Sequence, residues 1–115
     1  MTLQVGDVLW APGPAQWADS RLADYLSWLN RTHGFSFHDY TALHAWSVTN
    51  IEAFWRSAWD YFDIQAEGCP ETVLSRREMP GAQWFPNATL NYAENIFRNA
   101  TAQRPALIAR NENAD

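Results

Sequence analysis

The chain has 115 residues, with eight arginines, no lysine, 13 acidic side chains and a formal net charge of -5. That length holds one small core and excludes a second full domain, and the scattered acidic excess excludes the electrostatic footprint of a nucleic-acid binder. Without lysine, these residues can supply no Schiff base, no lysine nucleophile and no phosphate-loop lysine.

In chain order, Met1 to Trp10 has neither a basic leader nor a continuous apolar stretch, and no later run of roughly 18 apolar residues could cross a bilayer. The expectation is a soluble, unexported, cytoplasmic chain with no membrane partner. Trp10-Ala-Pro-Gly-Pro14 is a punctuated, extended lead-in. From Ala15 to Thr32, Leu22, Tyr25, Leu26 and Leu29 recur at helical spacing, which predicts an amphipathic helix stopped by Gly34. Ser36 and Asp39 have capping-box spacing, predicting a short helix through Tyr40, Leu43 and Trp46.

Thr49 and Glu52 repeat that signature ahead of Ile51, Phe54, Trp55, Ala58, Trp59 and Phe62, the strongest helical stripe in the chain. Ile64 to Met79 loses the period and reads as a connecting segment, with Val73-Leu74 as its one extended candidate. Cys69 is the single cysteine, so no intrachain disulfide can form, which suits a reducing compartment. The next stretch pairs Trp84 with Phe85, turns at Pro86-Asn87 and runs into a predicted helix carrying Leu90, Ala93, Phe97 and Ala100. Pro105 to Ala109 is an apolar run of strand type, followed by polar Asn111 to Asp115. A lone strand leaves its backbone groups unpaired, so this run points to a segment of a larger sheet. The fold class expected is mainly α with short β segments.

The residue types for chemistry are sparse. His33, His38 and His44 are spaced by five and six, which places no two rings on one helical turn, so ordinary polar roles outweigh a metal site. Asp39 beside His38 has acid/base residue types but no nucleophile to serve. The Asn30, Asn87 and Asn99 sequons read as accidents of composition in an unexported chain. No Gly-rich phosphate loop, nucleophile elbow or carboxylate cluster occurs. Catalytic, cofactor-binding and metal-ligating residues are therefore expected to be none. Seven Trp, four Tyr and six Phe instead argue for a folded or docking chain. The stripe Trp55, Trp59 and Phe62 reads first as core or docking face and only second as a sugar-stacking platform or cation cage, and Trp84-Phe85 equally as local core or as an insertion into another domain.

The landmarks Trp10-Ala-Pro12, Tyr40-Thr-Ala-Leu-His-Ala-Trp-Ser-Val48, Phe54-Trp55, Trp59, Trp84-Phe85, Leu90-Asn-Tyr-Ala-Glu-Asn95 and Ala106-Leu-Ile108 span nearly the whole chain. Taken in order, they resemble the N-terminal region of the acetoacetate-CoA ligases (acetoacetyl-CoA synthetases), a branch of the AMP-forming adenylating enzymes. The acetyl-CoA synthetase branch shares the Phe-Trp helix and the Trp-Phe, while Tyr92-Ala-Glu-Asn95 and Trp46-Ser-Val48 look like the acetoacetate branch. The resemblance implies a complete enzyme that uses ATP, Mg²⁺ and CoA, and a small-molecule acid as substrate. It implies that residues 1–100 form the N-terminal helical region and 101–115 the start of the adenylating domain. The partner it implies is that adenylating domain, met through Phe54, Trp55, Trp59, Trp84, Phe85 and Leu90. An acetyl- or propionyl-CoA synthetase segment, or a free-standing aromatic interaction module, stays open on these residues.

Overall fold

Leu29 lies fully buried on a 13-residue helix, and the first half of the chain is built around it. The structure is a computed structural model and describes residues 4–109 and Glu112. Within these residues the chain divides into two compact units, with the boundary between Ser57 and Ala58.

In the first unit, α1 (Pro14–Ala18) and α2 (Arg21–His33) stand where one helix is expected from Ala15 to Thr32. The break has a chemical cause. Ser20 adopts an extended backbone and its hydroxyl accepts from the Ala23 amide at 3.1 Å, so it caps a new helix inside the apolar period. Gly34 closes α2 in the left-handed region at φ 70°, as its position predicts. α3 (Tyr40–Thr49) is present, but Asp39 caps it in place of Ser36, its Oδ1 accepting from Ala42 N at 2.8 Å. Thr49 likewise does not open the following helix. It is the last residue of α3, its hydroxyl donates to the Ala45 carbonyl at 2.8 Å, and α4 (Ile51–Tyr61) follows after Asn50.

The core of this unit is Leu26, Leu29 and Leu43, lined by Trp17, Leu22, Tyr25, Trp28, Phe35, Phe37 and Trp46. Phe35, Phe37 and Trp46 form a ring cluster with centroids 4.9 to 5.5 Å apart. The loop that carries Phe37 is fixed by the Asn30 carboxamide, which accepts from Phe37 N at 2.9 Å and donates to Phe37 O at 2.8 Å. Asn30 thus pairs with the backbone as a strand would.

The second unit contains what the sequence reads as a connecting segment, and that reading is corrected. The segment holds β1 (Glu67–Gly68) and, starting at Leu74 of the expected extended candidate, β2 (Leu74–Arg76); they pair antiparallel with β4 (Ala88–Thr89) and β3 (Gln83–Trp84) respectively. The β2–β3 pair is nested inside the β1–β4 pair, with a register shift between Leu74 and Arg76. Strands of two and three residues carry no usable period, so hydrophobic alternation could not reveal them. Gly68 is required where the outer strands meet: at φ 92°, a Cβ there would lie 2.1 Å from the Asn87 carbonyl oxygen. The turn at Pro86-Asn87 is where the sequence places it.

α5 (Tyr92–Phe97) is shorter than the expected helix, because Leu90 precedes its Asn91 cap. Pro105 to Ala109 forms no strand, and its residues are exposed. A strand exists only through its ladder, and none of the described residues supplies one. Of the polar tail Asn111 to Asp115, all but Glu112 lies outside the described residues.

Candidate functional site

The six residues expected to dock are placed differently in the two units. In the first, Phe54 is half-buried, its ring 6.2 Å from Trp46 and 5.3 Å from Trp55, and Trp55 is 45% exposed. The residue that α4 buries most deeply is not on the aromatic stripe. It is Ser57, 1% exposed, whose hydroxyl meets Tyr25 Oη at 2.7 Å and donates to the Phe54 carbonyl at 2.7 Å. A hydroxyl has one proton, so Tyr25 donates to Ser57. Burial raises the Tyr25 phenol above its ordinary value of 10.0, and the Ser57 hydrogen bond partly offsets that rise.

In the second unit the Trp84-Phe85 pair is split. Phe85 takes a positive φ of 43°, which turns its half-buried ring onto Trp59 at a centroid distance of 4.5 Å. Trp84 stays on β3, 41% exposed, and Leu90 is 50% exposed. Of the six residues, Phe54, Trp59 and Phe85 are thus partly used locally, while Trp55, Trp84 and Leu90 present much of their apolar surface. Leu90 also lines an open groove of about 380 Å³ with Gln65, Ala66, Glu67, Thr89, Asn91 and Glu94.

α5 is fastened by its polar side. Asn91 caps it, accepting from Glu94 N at 3.3 Å. Asn95 Oδ1 accepts from Gln65 N at 2.9 Å, and its Nδ2 donates to Gln65 O at 2.9 Å. Arg98 donates to the Phe62 and Asp63 carbonyls just past the end of α4, and its guanidinium lies 3.1 Å from the Asp63 carboxylate. A cation there also meets the negative end of the α4 dipole. Asn91, Asn95 and Arg98 stand at i, i+4 and i+7, so the face turned toward the chain is polar. Leu90, Ala93, Phe97 and Ala100, expected to form a packed face, are all exposed. Sequence reasoning missed this reversal, although Asn91 and Asn95 at i, i+4 were its visible signal.

The histidines do not converge. His33 packs its ring near Trp28 and Phe35, His44 packs against Tyr40, and no group of three metal-ligand types gathers among the described residues. No helix among the described residues is long and apolar enough to cross a membrane.

The second unit buries one apolar residue among those described and turns the polar side of α5 toward the chain, and the family comparison finds a likeness to a class of CoA-forming synthetases. Residues 40–96 match the family described as "Acetyl-coenzyme A synthetase N-terminus". More particularly, the chain is similar to the N-terminal part of acetoacetyl-CoA synthetases, as its landmarks read. It is 36% identical to the acetoacetyl-coenzyme A synthetase of Rhizobium meliloti across 96% of this chain and 17% of that protein. The malonamoyl-CoA synthetase vrtB of Penicillium aethiopicum is 35% identical across 79% of this chain and 13% of that protein. The solved acetoacetyl-CoA synthetase from Streptomyces lividans superposes with a TM-score of 0.72 at 42% identity, covering 78% of this chain and 14% of that one. The chain spans about one sixth of the length of the first curated relatives, at 17% and 16%.

Proposed function

We propose that this chain is the N-terminal structural segment of an AMP-forming ligase that activates acetoacetate with ATP and transfers it to CoA. The observation that carries the reading is the mismatch within the second unit. Val73, 5% exposed, is its one fully buried apolar residue among those described, while Trp84, Leu90, Tyr92, Ile96 and Phe97 remain 41 to 74% exposed. A unit so composed has too little burial of its own to offset chain entropy, which is the expected state of a segment whose remaining core lies in another part of the protein.

In this reading Phe54, Trp55, Trp59, Trp84, Phe85 and Leu90 pack on the adenylating domain. Residues 1–100 form the N-terminal region, and 101–115 lead into the adenylating domain, where Ala106 to Ile108 finds its ladder. In this reading the whole enzyme uses ATP, Mg²⁺ and CoA, and this segment contributes to it neither a Gly-rich phosphate loop nor a lysine. The segment alone is inactive. Its contribution is to complete the fold that holds the active site.

Acetoacetate is favoured by the names of the relatives, and the malonamoyl relative refines the class. Both acyl groups carry a carbonyl at the third carbon. ATP-pyrophosphate exchange by the full-length enzyme should be fastest with acetoacetate, slower with malonamate, and weak with acetate and propionate. Exchange with acetate equal to that with acetoacetate would overturn the substrate assignment.

A further inference from the structure

The reversed polarity of α5 points to a surface outside the six docking residues. A helix at a protein surface normally turns its apolar stripe to the core and its polar side to water. α5 does the opposite. Its least exposed residue is Asn95, and the Arg98 side chain beyond its end is only 25% exposed. Both are consumed by hydrogen bonds to the backbone from Phe62 to Gln65. Tyr92, Ile96 and Phe97 lie on the remaining sides, 74, 48 and 48% exposed. Packing does not hold this helix in place, since none of its residues is buried. Directional bonds hold it, and these fix its rotation so that the apolar residues face outward.

Resting on the reading above, we infer that Tyr92, Ile96 and Phe97 form a docking face, and that its occupant is the adenylating part of the same synthetase polypeptide. Two observations select that occupant. The relatives are about six times longer than the chain, at 17% and 16% coverage, so the polypeptide that could cover the face is most of the molecule. The apolar run Pro105 to Ala109 follows α5 in the same unit, with Leu107 and Ile108 exposed at 77% and 73%. That run needs neighbouring strands, and a sheet that pairs with it brings apolar cover to the end of the chain where α5 displays its own. Asn95 and Arg98 are then positioning residues, which set the helix before its cover arrives.

The test joins this chain to the Streptomyces lividans synthetase in place of that enzyme's own N-terminal region and follows amide hydrogen exchange. Ile96→Ser with Phe97→Ser should speed exchange of the α5 amides by about tenfold or more in the joined protein. In the 115-residue chain alone, the same pair should leave the urea midpoint of unfolding nearly unchanged from that of the parent. A larger change there would show that the chain covers the face itself and would overturn the inference. So would an unchanged α5 rate in the joined protein. Trp84→Ala with Leu90→Ala is the control for the wider reading: an effect from this pair without one from Ile96 and Phe97 sinks the α5 face alone, and no effect from either sinks both. Light scattering that finds the isolated chain dimeric, and monomeric after Ile96→Ser with Phe97→Ser, assigns the face to a second copy and also overturns it.

Discussion

At the scale of single residues, the chain from Tyr25 to Ser57 to the Phe54 carbonyl runs through the one buried polar side chain among the described residues. Its first bond, 2.7 Å, joins α2 to α4, and its second, also 2.7 Å, returns to the α4 backbone, with no charged group involved. Tyr25→Phe deletes the donor and should cost about 0.5–1.5 kcal/mol, the usual net value of such a bond. The pH dependence follows from the raised phenol. A group whose folded pKa lies above its unfolded value contributes stability that is whole below the unfolded pKa and is lost as pH rises through the folded one. The parent should therefore lose part of its advantage over Tyr25→Phe as pH climbs past 10.0, the ordinary tyrosine value. Denaturant titrations of both proteins at neutral pH and above that value measure the gap, and a gap that stays constant contradicts a desolvated Tyr25.

At the scale of elements, α5 shows that a helical period identifies an amphipathic helix without identifying which side has a partner. Leu90, Ala93, Phe97 and Ala100 looked like an inward stripe, yet the backbone of Phe62 to Gln65 recruits Asn95 and Arg98 instead. Asn95→Ala removes the paired bonds to Gln65 and the bond to Asn91 O, leaving the Gln65 amide without its acceptor. The expected cost to this local structure is about 0.5–1.5 kcal/mol, since water reaches the exposed Gln65 amide, read in the joined protein as faster exchange at Gln65 and through α5; an unchanged Gln65 rate would show that the clamp does not hold the helix. The longer elements were legible for the complementary reason. α2 and α4 repeat their apolar residues over several turns, and Gly34 has the one backbone conformation that ends α2. The helix starts were harder to place, because Ser20 for α2 and Asp39 for α3 compete with neighbours of similar chemistry and tertiary position selects among them. The outer strands depend on pairing between residues about 20 apart, such as Glu67 with Thr89, and the inner ones are interrupted by a register shift, neither of which a local pattern announces. Among the candidate docking residues, the aromatic types were legible, but the positive φ that separates Phe85 from Trp84 was not.

At the scale of the whole molecule, the two units differ in what closes them. The first buries Leu26, Leu29 and Leu43 at 4, 0 and 5% exposure among seven further large apolar side chains. The second relies on short ladders, the Trp59–Phe85 ring contact and the Asn95 and Arg98 bonds, with Val73 its one buried apolar residue among those described. Local opening costs least where few apolar contacts must be broken. In the isolated chain, the amides of α2 around Leu26 and Leu29 should therefore exchange slowly, and those of Cys69, Phe85 and Arg98 should exchange close to the unprotected rate. Leu29→Ala, which leaves a cavity at the most buried position, should cost about 2–5 kcal/mol and abolish the slow class, while hardly moving the fast one. The same experiment discriminates between the functional readings. A free-standing interaction module must fold its binding surface unaided, so it requires slow amides in the β1–β4 and β2–β3 ladders and their loss after Val73→Ala. A synthetase segment requires those ladders to gain protection only when the adenylating part is present, because that part supplies the apolar cover that Val73 alone cannot.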